Sequence, residues 1–214
     1  MDNNIIEVRN VCKSFKEGQV LKDVSIDFEK GKIHGLVGRN GSGKTMLLKC
    51  ICGFVPVSYG EIFVKGKRIG KDVDVPEDTG IIIEAPGFLT NYSGYNNLKF
   101  LAMIKNSIDK EAIKESIRKV GLDPENKKWV GKYSLGMRQR LGIAQAIMEK
   151  PSILILDEPM NGLDTSGVND IRELLKTLRE EGHTILLASH MREDIELLCD
   201  TVSNMEGGKL TVTR

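Results

Sequence analysis

Gly38-Arg39-Asn40-Gly41-Ser42-Gly43-Lys44-Thr45 is the stretch on which the fold of this chain turns. It fits GxxxxGK[ST] and stands between an apolar run, Ile33-His34-Gly35-Leu36-Val37, and the helically spaced Met46, Leu47, Leu48 and Ile51, which Gly53 stops. Its glycines let backbone N–H groups converge on phosphate oxygens with no Cβ in the way. The helix that follows adds the partial positive charge of its first turn. Lys44 brings a full charge to the β- and γ-phosphates, and Thr45 offers a hydroxyl to Mg2+. At ordinary glycine usage these fixed positions match by chance in about one chain of this length in a hundred, before the strand and helix flanks are counted. The stretch predicts a nucleotide site, with Gly38, Arg39, Asn40, Gly41, Ser42, Gly43, Lys44, Thr45 and Met46 as its contacts.

Working outward, a second apolar run, Ile153-Leu154-Ile155-Leu156, ends in Asp157-Glu158. Open α/β sheets place ligands at such strand ends. Asp157 is suited to hold Mg2+ through its water shell, and Glu158 to polarise a water for attack on the γ-phosphate. A third run, Thr184 to Ala188, leads through Ser189 to His190. Set beside the phosphate-loop strand, it aims His190 at the γ-phosphate, so Lys44, Glu158 and His190 are the expected catalytic groups. His34, in mid-strand, and His183, in a turn, read as structural.

Further strands are expected at Ile5 to Val8, Val24 to Phe28, Glu61 to Val64 and Gly80 to Ile83. Helical spacing appears at Leu98 to Lys105, at Ala112 to Val120 and from about Gly136 to Met148, and again through Ile171-Leu174-Leu175-Leu178. Unbroken apolar strands separated by helices indicate a parallel sheet covered on both faces. One compact unit of 214 residues is expected. Residues 1–86 and 151–214 form its core and residues 87–150 an inserted helical block.

Composition agrees with a water-compatible globular chain, 40% hydrophobic and 29% charged. Thirty-one basic against 30 acidic residues leave a net charge of +1, which gives no footprint for nucleic acid. No apolar run approaches the ~20 residues of a membrane helix. Met1-Asp2-Asn3-Asn4 lacks the marks of a secretion signal. Cys12, Cys50, Cys52 and Cys199 form no CxxC pair and read as reduced thiols of an intracellular protein.

Tyr133-Ser134-Leu135-Gly136-Met137-Arg138-Gln139-Arg140, between the helical block and the Asp157 strand, resembles the signature of ATP-binding-cassette (ABC) proteins, LSGGQ followed by a basic residue. Ser134 and Gly136 match, whereas Tyr133, Leu135 and Met137 depart from the common form. Asn161-Gly162-Leu163-Asp164 resembles the family segment that meets the opposite subunit. His190 matches the switch histidine, and Phe15 the aromatic on which adenine stacks. The resemblance spans about residues 5 to 207. It implies an α/β fold: a P-loop NTPase core with a parallel sheet, an N-terminal antiparallel β part and an inserted helical subdomain. It also implies a head-to-tail dimer in which Ser134 and Gly136 of one copy reach the ATP of the other. Separate transmembrane permease subunits would hold the chain at the cytoplasmic face of the membrane.

Where most members carry Gln, this chain reads Ile83-Glu84-Ala85-Pro86. Together with the Ser-Leu-Gly-Met form of the signature, this looks like the ATPases of bacterial exporters for peptide antibiotics, of the bacitracin-resistance and lantibiotic-immunity kind. By the family pattern Glu84 joins Thr45 and Asp157 as a group facing Mg2+. Two alternatives are an exporter ATPase for an unrelated cargo and a soluble ABC ATPase outside transport. The latter typically fuses two cassettes or inserts a long coiled coil, and neither is seen here. A P-loop kinase of small molecules would have no use for Ser134-Leu135-Gly136 or for residues 161–164.

Overall fold

The computed structural model describes residues 3–105 and 107–214; Met1 and Asp2, half of the segment read above for a secretion signal, lie outside the described residues. The chain opens with a long hairpin, β1 (Asn4–Phe15) and β2 (Gly18–Glu29), and continues into β3 (Ile33–Val37), the phosphate loop and helix α1 (Lys44–Ile51). Next come β4 (Tyr59–Val64), the short β5 (Lys67–Arg68) and β6 (Thr79–Ile82). Three α-helices follow, α2 (Gly94–Lys105), α3 (Lys110–Lys119) and α4 (Leu135–Ile147), with one 3-10 turn (Val130–Lys132) before the last. Then β7 (Ile153–Asp157), α5 (Thr165–Glu180), β8 (Thr184–Ser189), α6 (Arg192–Leu198), β9 (Thr201–Glu206) and β10 (Lys209–Val212) complete the order.

The strands form two sheets, one ordered β2-β1-β4-β5 and antiparallel, the other ordered β10-β9-β3-β8-β7-β6. In the second, β9, β3, β8, β7 and β6 run parallel. β7 and β8 are buried along their whole length, as strands covered on both faces must be. Their alternate residues divide between two cores. Ile153, Ile155, Leu186 and Ala188 pack with Leu47, Leu48 and Ile51 of α1 and with Val8, Val11 and Phe28 of the antiparallel sheet. Leu154, Leu156, Ile185 and Leu187 pack with Leu141 and Ile143 of α4, Ile171 and Leu175 of α5, and the helices α2 and α3. Thus α1 is wedged between the sheets, while α4 lies along the edge strand β6.

The parallel sheet expected of the core is present, with one antiparallel strand added at its edge, where β10 turns back on β9. Gly207 and Gly208, at φ 53° and 83°, make the two-residue turn whose twist suits an antiparallel hairpin. No helix among the described residues is long and apolar enough to cross a membrane.

Candidate functional site

The phosphate loop joins the end of β3 to the start of α1, where chemistry needs backbone and little else. At Gly38 a Cβ would fall 2.3 Å from the Met205 carbonyl oxygen and 2.5 Å from Ser42 Oγ, so only glycine fits. Gly43 sits at φ 113° as N-cap of α1, and no side chain among the described residues caps that helix. Its first N–H groups are therefore free for an acceptor from outside. Lys44 is buried and folds back over its own loop, donating to the carbonyl oxygens of Gly38 at 2.6 Å and Arg39 at 3.4 Å. Arg39 and Asn40 are exposed, and Ser42 is buried with its hydroxyl unpartnered among the described residues. Buried polar atoms are rarely left so, and a vacant donor in such a loop suits a phosphate oxygen. Met46, partly buried, continues α1.

Parallel pairing of β3 with β8, and of β8 with β7, brings three strand ends together. Thr45 Oγ1 donates to Asp157 Oδ2 at 2.6 Å. Burial pushes the Asp157 carboxyl up; the Thr45 hydroxyl and the Lys44 charge oppose this, and the charges of Glu158 and Glu84 add to it. Glu158 turns away from that pair. Its Oε2 meets His190 Nδ1 at 2.8 Å, and its buried Oε1 lies 3.8 Å from Lys44 Nζ with no hydrogen bond among the described residues. The Glu158 backbone is at φ 51°, held there by its N–H donating to the Ala188 carbonyl at 2.9 Å. Lys44, Thr45, Asp157, Glu158 and His190 are thus neighbours. A cleft of about 800 Å3 opens beside them, lined by Gly38, Asn40, His190, Arg192 and Asn204 among others.

The donor set fits Mg2+. Thr45 and Asp157 present a hydroxyl and a buried carboxylate side by side. Among the described residues no three His, Cys, Asp or Glu side chains gather as an all-protein metal cage. Mg2+ asks for no more, since it binds through one or two protein oxygens and completes its shell with water and substrate phosphates.

Four expected residues stand apart from this cluster. Phe15 ends β1 and is 45% exposed. Ser134 caps α4, its Oγ accepting from Met137 N–H at 3.1 Å. Gly136 lies against the segment after Glu158: a Cβ there would come 2.9 Å from the Gly162 carbonyl oxygen, and Leu135 covers Gly162 in turn. Glu84 lies two residues beyond β6 at φ 62°, and its Oε1 is taken by Lys49 Nζ at 2.5 Å, although its charge still reaches Asp157. His34 bonds Thr201 and the Glu29 carbonyl, and His183 the Pro151 carbonyl, all away from the cluster.

Spacing alone did not single out Lys49 or Gln139. Lys49 stands four residues after Thr45, one helical turn along α1. Gln139 Nε2 donates to the Glu158 carbonyl at 3.3 Å, joining the signature helix to the acidic strand end. A groove of about 540 Å3 runs between the end of β6 and the helices, lined by Phe54, Glu84, Pro86, Leu89, Phe100 and Gln145 among others.

Residues 21–161 match the family model for the ABC transporter. The uncharacterized ABC transporter ATP-binding protein YybJ of Bacillus subtilis (strain 168) is 46% identical over 206 residues, 96% of this chain and 94% of that protein. The bacitracin transport ATP-binding protein BcrA of Enterococcus faecalis is 40% identical over 96% of this chain and 68% of its own length. In fold, the chain is similar to the dimeric ATP-binding cassette MJ0796 in a post-hydrolysis state bound to ADP and Pi. That likeness has a TM-score of 0.87 at 21% identity and covers 98% of this chain and 99% of the other.

Proposed function

The chain belongs to the ABC transporter family as an ATP-binding, ATP-hydrolysing subunit, and from that premise we propose that it powers a bacterial exporter of peptide antibiotics. The observation that carries the chemical part is the Lys44–Glu158–His190 cluster beside Thr45 and Asp157. In this reading the free N–H groups of the loop, Ser42 and Lys44 receive the β- and γ-phosphates. Phe15 takes the base. Thr45 and Asp157 face Mg2+, which when bound would neutralise phosphate charge, and Glu84 joins them once it is released from Lys49. Glu158 accepts the proton of the attacking water, and His190, hydrogen-bonded to it, holds the carboxylate and faces the γ-phosphate.

Residues 1–86 and 151–214 act as the catalytic core and 87–150 as the helical subdomain. Ser134 and Gly136 open α4 with N–H groups suited to a second phosphate contact, which a second copy, arranged head to tail, uses. The apolar groove beside Pro86, with exposed Phe54, Leu89 and Phe100, supports docking of a separate permease, which holds the subunit at the cytoplasmic membrane face. Antibiotic cargo is supported by the bacitracin transport protein among the relatives and by Glu84 in place of the usual Gln.

The test is Glu158→Gln. Hydrolysis should fall to background while ATP affinity stays within about twofold, because the base is lost and the phosphate ligands remain. Gel filtration with ATP and Mg2+ should then show the chain moving from monomer to dimer size. A variant that turns over at the wild-type rate removes Glu158 from the mechanism. For the cargo, cells carrying the chain with its permease should survive bacitracin better than cells carrying the Glu158→Gln form.

A further inference from the structure

Lys13 is a buried cation that the mechanism above leaves unused. The residue is 9% exposed, and lysine is seldom buried so far without an acidic partner. Its ammonium is held instead by the Pro56 carbonyl oxygen at 2.7 Å and by the ring of Phe15, whose centroid lies 4.8 Å away. Burial pushes the neighbouring Cys50 thiol up to about 11, and the Lys13 charge works against that shift, so the charge is felt within the core. Pro56 belongs to the segment that follows α1, the helix springing from the phosphate loop. Lys13 therefore ties the end of β1, where Phe15 stands, to the element that carries the phosphate contacts.

Phe15 has one face over this cation and is 45% exposed. A cation against one face of an aromatic ring is attracted by its π electrons and draws them toward itself. The open face becomes poorer in electrons and a better stacking partner for an electron-rich purine. Resting on the assignment of Phe15 as the nucleobase platform, we propose that Lys13 is the positioning residue of that platform. It fixes the ring from beneath and strengthens its stacking on a purine nucleotide. Phe15 offers no hydrogen-bonding group, so the pair grips the flat face of the base.

The experiment measures affinity by calorimetry for two ligands, a non-hydrolysable ATP analogue and inorganic tripolyphosphate, which has the phosphates but no base. Lys13→Met keeps the stem and removes the charge. Lys13→Gln also leaves a donor toward Pro56, and serves should Met disturb the fold. Two further bonds, Ser58 N–H to the Cys12 carbonyl at 2.9 Å and Ser14 N–H to Ser58 Oγ at 3.1 Å, keep the strand end in place in either variant. Both variants should bind the ATP analogue about three- to tenfold more weakly and tripolyphosphate as wild type does, while Lys13→Arg should restore the ATP value. With Phe15→Leu already present, removing the charge should cost no further ATP affinity. Unchanged ATP affinity in Lys13→Met and Lys13→Gln overturns the proposal, and so does an equal loss for both ligands or an undiminished loss beside Phe15→Leu. Should Phe15→Leu alone leave ATP binding untouched, the platform assignment itself falls, a result distinct from those three.

Discussion

Asp157 is a buried carboxyl whose charged form the fold disfavours. Burial holds its pKa above the ordinary carboxylate value even with the Thr45 hydroxyl and Lys44 opposing. In the unfolded chain the same group ionises at the ordinary aspartate value. A raised folded pKa means that the neutral form favours folding. That contribution is full below the ordinary value and is lost as pH rises through the raised one. Near neutral pH the ligand-free protein is thus less stable than it would be with an uncharged residue of the same shape. Asp157→Asn should raise the thermal midpoint at pH 7 by a few degrees. The gap should close as pH falls toward about 4, and Mg2+-dependent turnover should be lost at every pH. Scanning calorimetry across pH checks the first two expectations and a phosphate-release assay the third. A gap that widens on acidification would show that burial is not what moves this group.

Between elements, a buried ion pair joins α5 to α6. Arg172 donates through Nε and Nη2 to Asp194 Oδ1 at 2.9 and 2.6 Å, both residues being buried. The other Asp194 oxygen accepts from Ser189 at 3.4 Å, and the Ser189 hydroxyl accepts from Met191 N–H at 3.1 Å, so the pair braces both sides of His190. Arg172→Met strands a buried carboxylate and should cost about 3–5 kcal/mol in urea unfolding, most of it recovered by adding Asp194→Leu. A single variant as stable as wild type would mean that the pair braces nothing. Sequence patterns could not disclose this clamp, because its partners lie on different helices and meet only after folding. Lys13 on the Pro56 carbonyl and Lys49 on Glu84 escaped likewise, since each joins segments far apart in the chain. What was legible were groups whose spacing is set by one local element: the loop with Lys44 and Thr45, and the strand end with Asp157 and Glu158. Among elements, the apolar β3, β7 and β8 were readable. β9 was not, since Thr201 to Glu206 is half polar and becomes a strand by lying beside β3. The short α6 also lacks a side-chain cap to announce it.

At the scale of the molecule, the proposed pairing of two copies has a test that the structure refines. Gly136 is a poor site for it, because any side chain there meets the Gly162 carbonyl of its own chain. Ser134 is better: it is exposed, and its role within the chain is to cap α4. Ser134→Asp keeps a good helix cap and sets a negative charge against the partner's γ-phosphate. Alone, it should be nearly inactive, as should Lys44→Ala. Mixed in equal amounts, half of the dimers pair one of each and hold one intact site, so about a quarter of wild-type ATPase activity should return if the sites are independent. Activity no greater than that of the separate variants would count against the shared site. The backbone at Glu84 and Glu158 carries a longer consequence. Both are held at positive φ, 62° and 51°, which disfavours a side chain by about 1–2 kcal/mol and which glycine or asparagine tolerates better. On the proposed reading, in which both glutamates serve ATP-driven transport, selection has to renew them against drift. In a descendant released from that proposed task, positions 84 and 158 would be among the first to change, while the phosphate loop still read as intact.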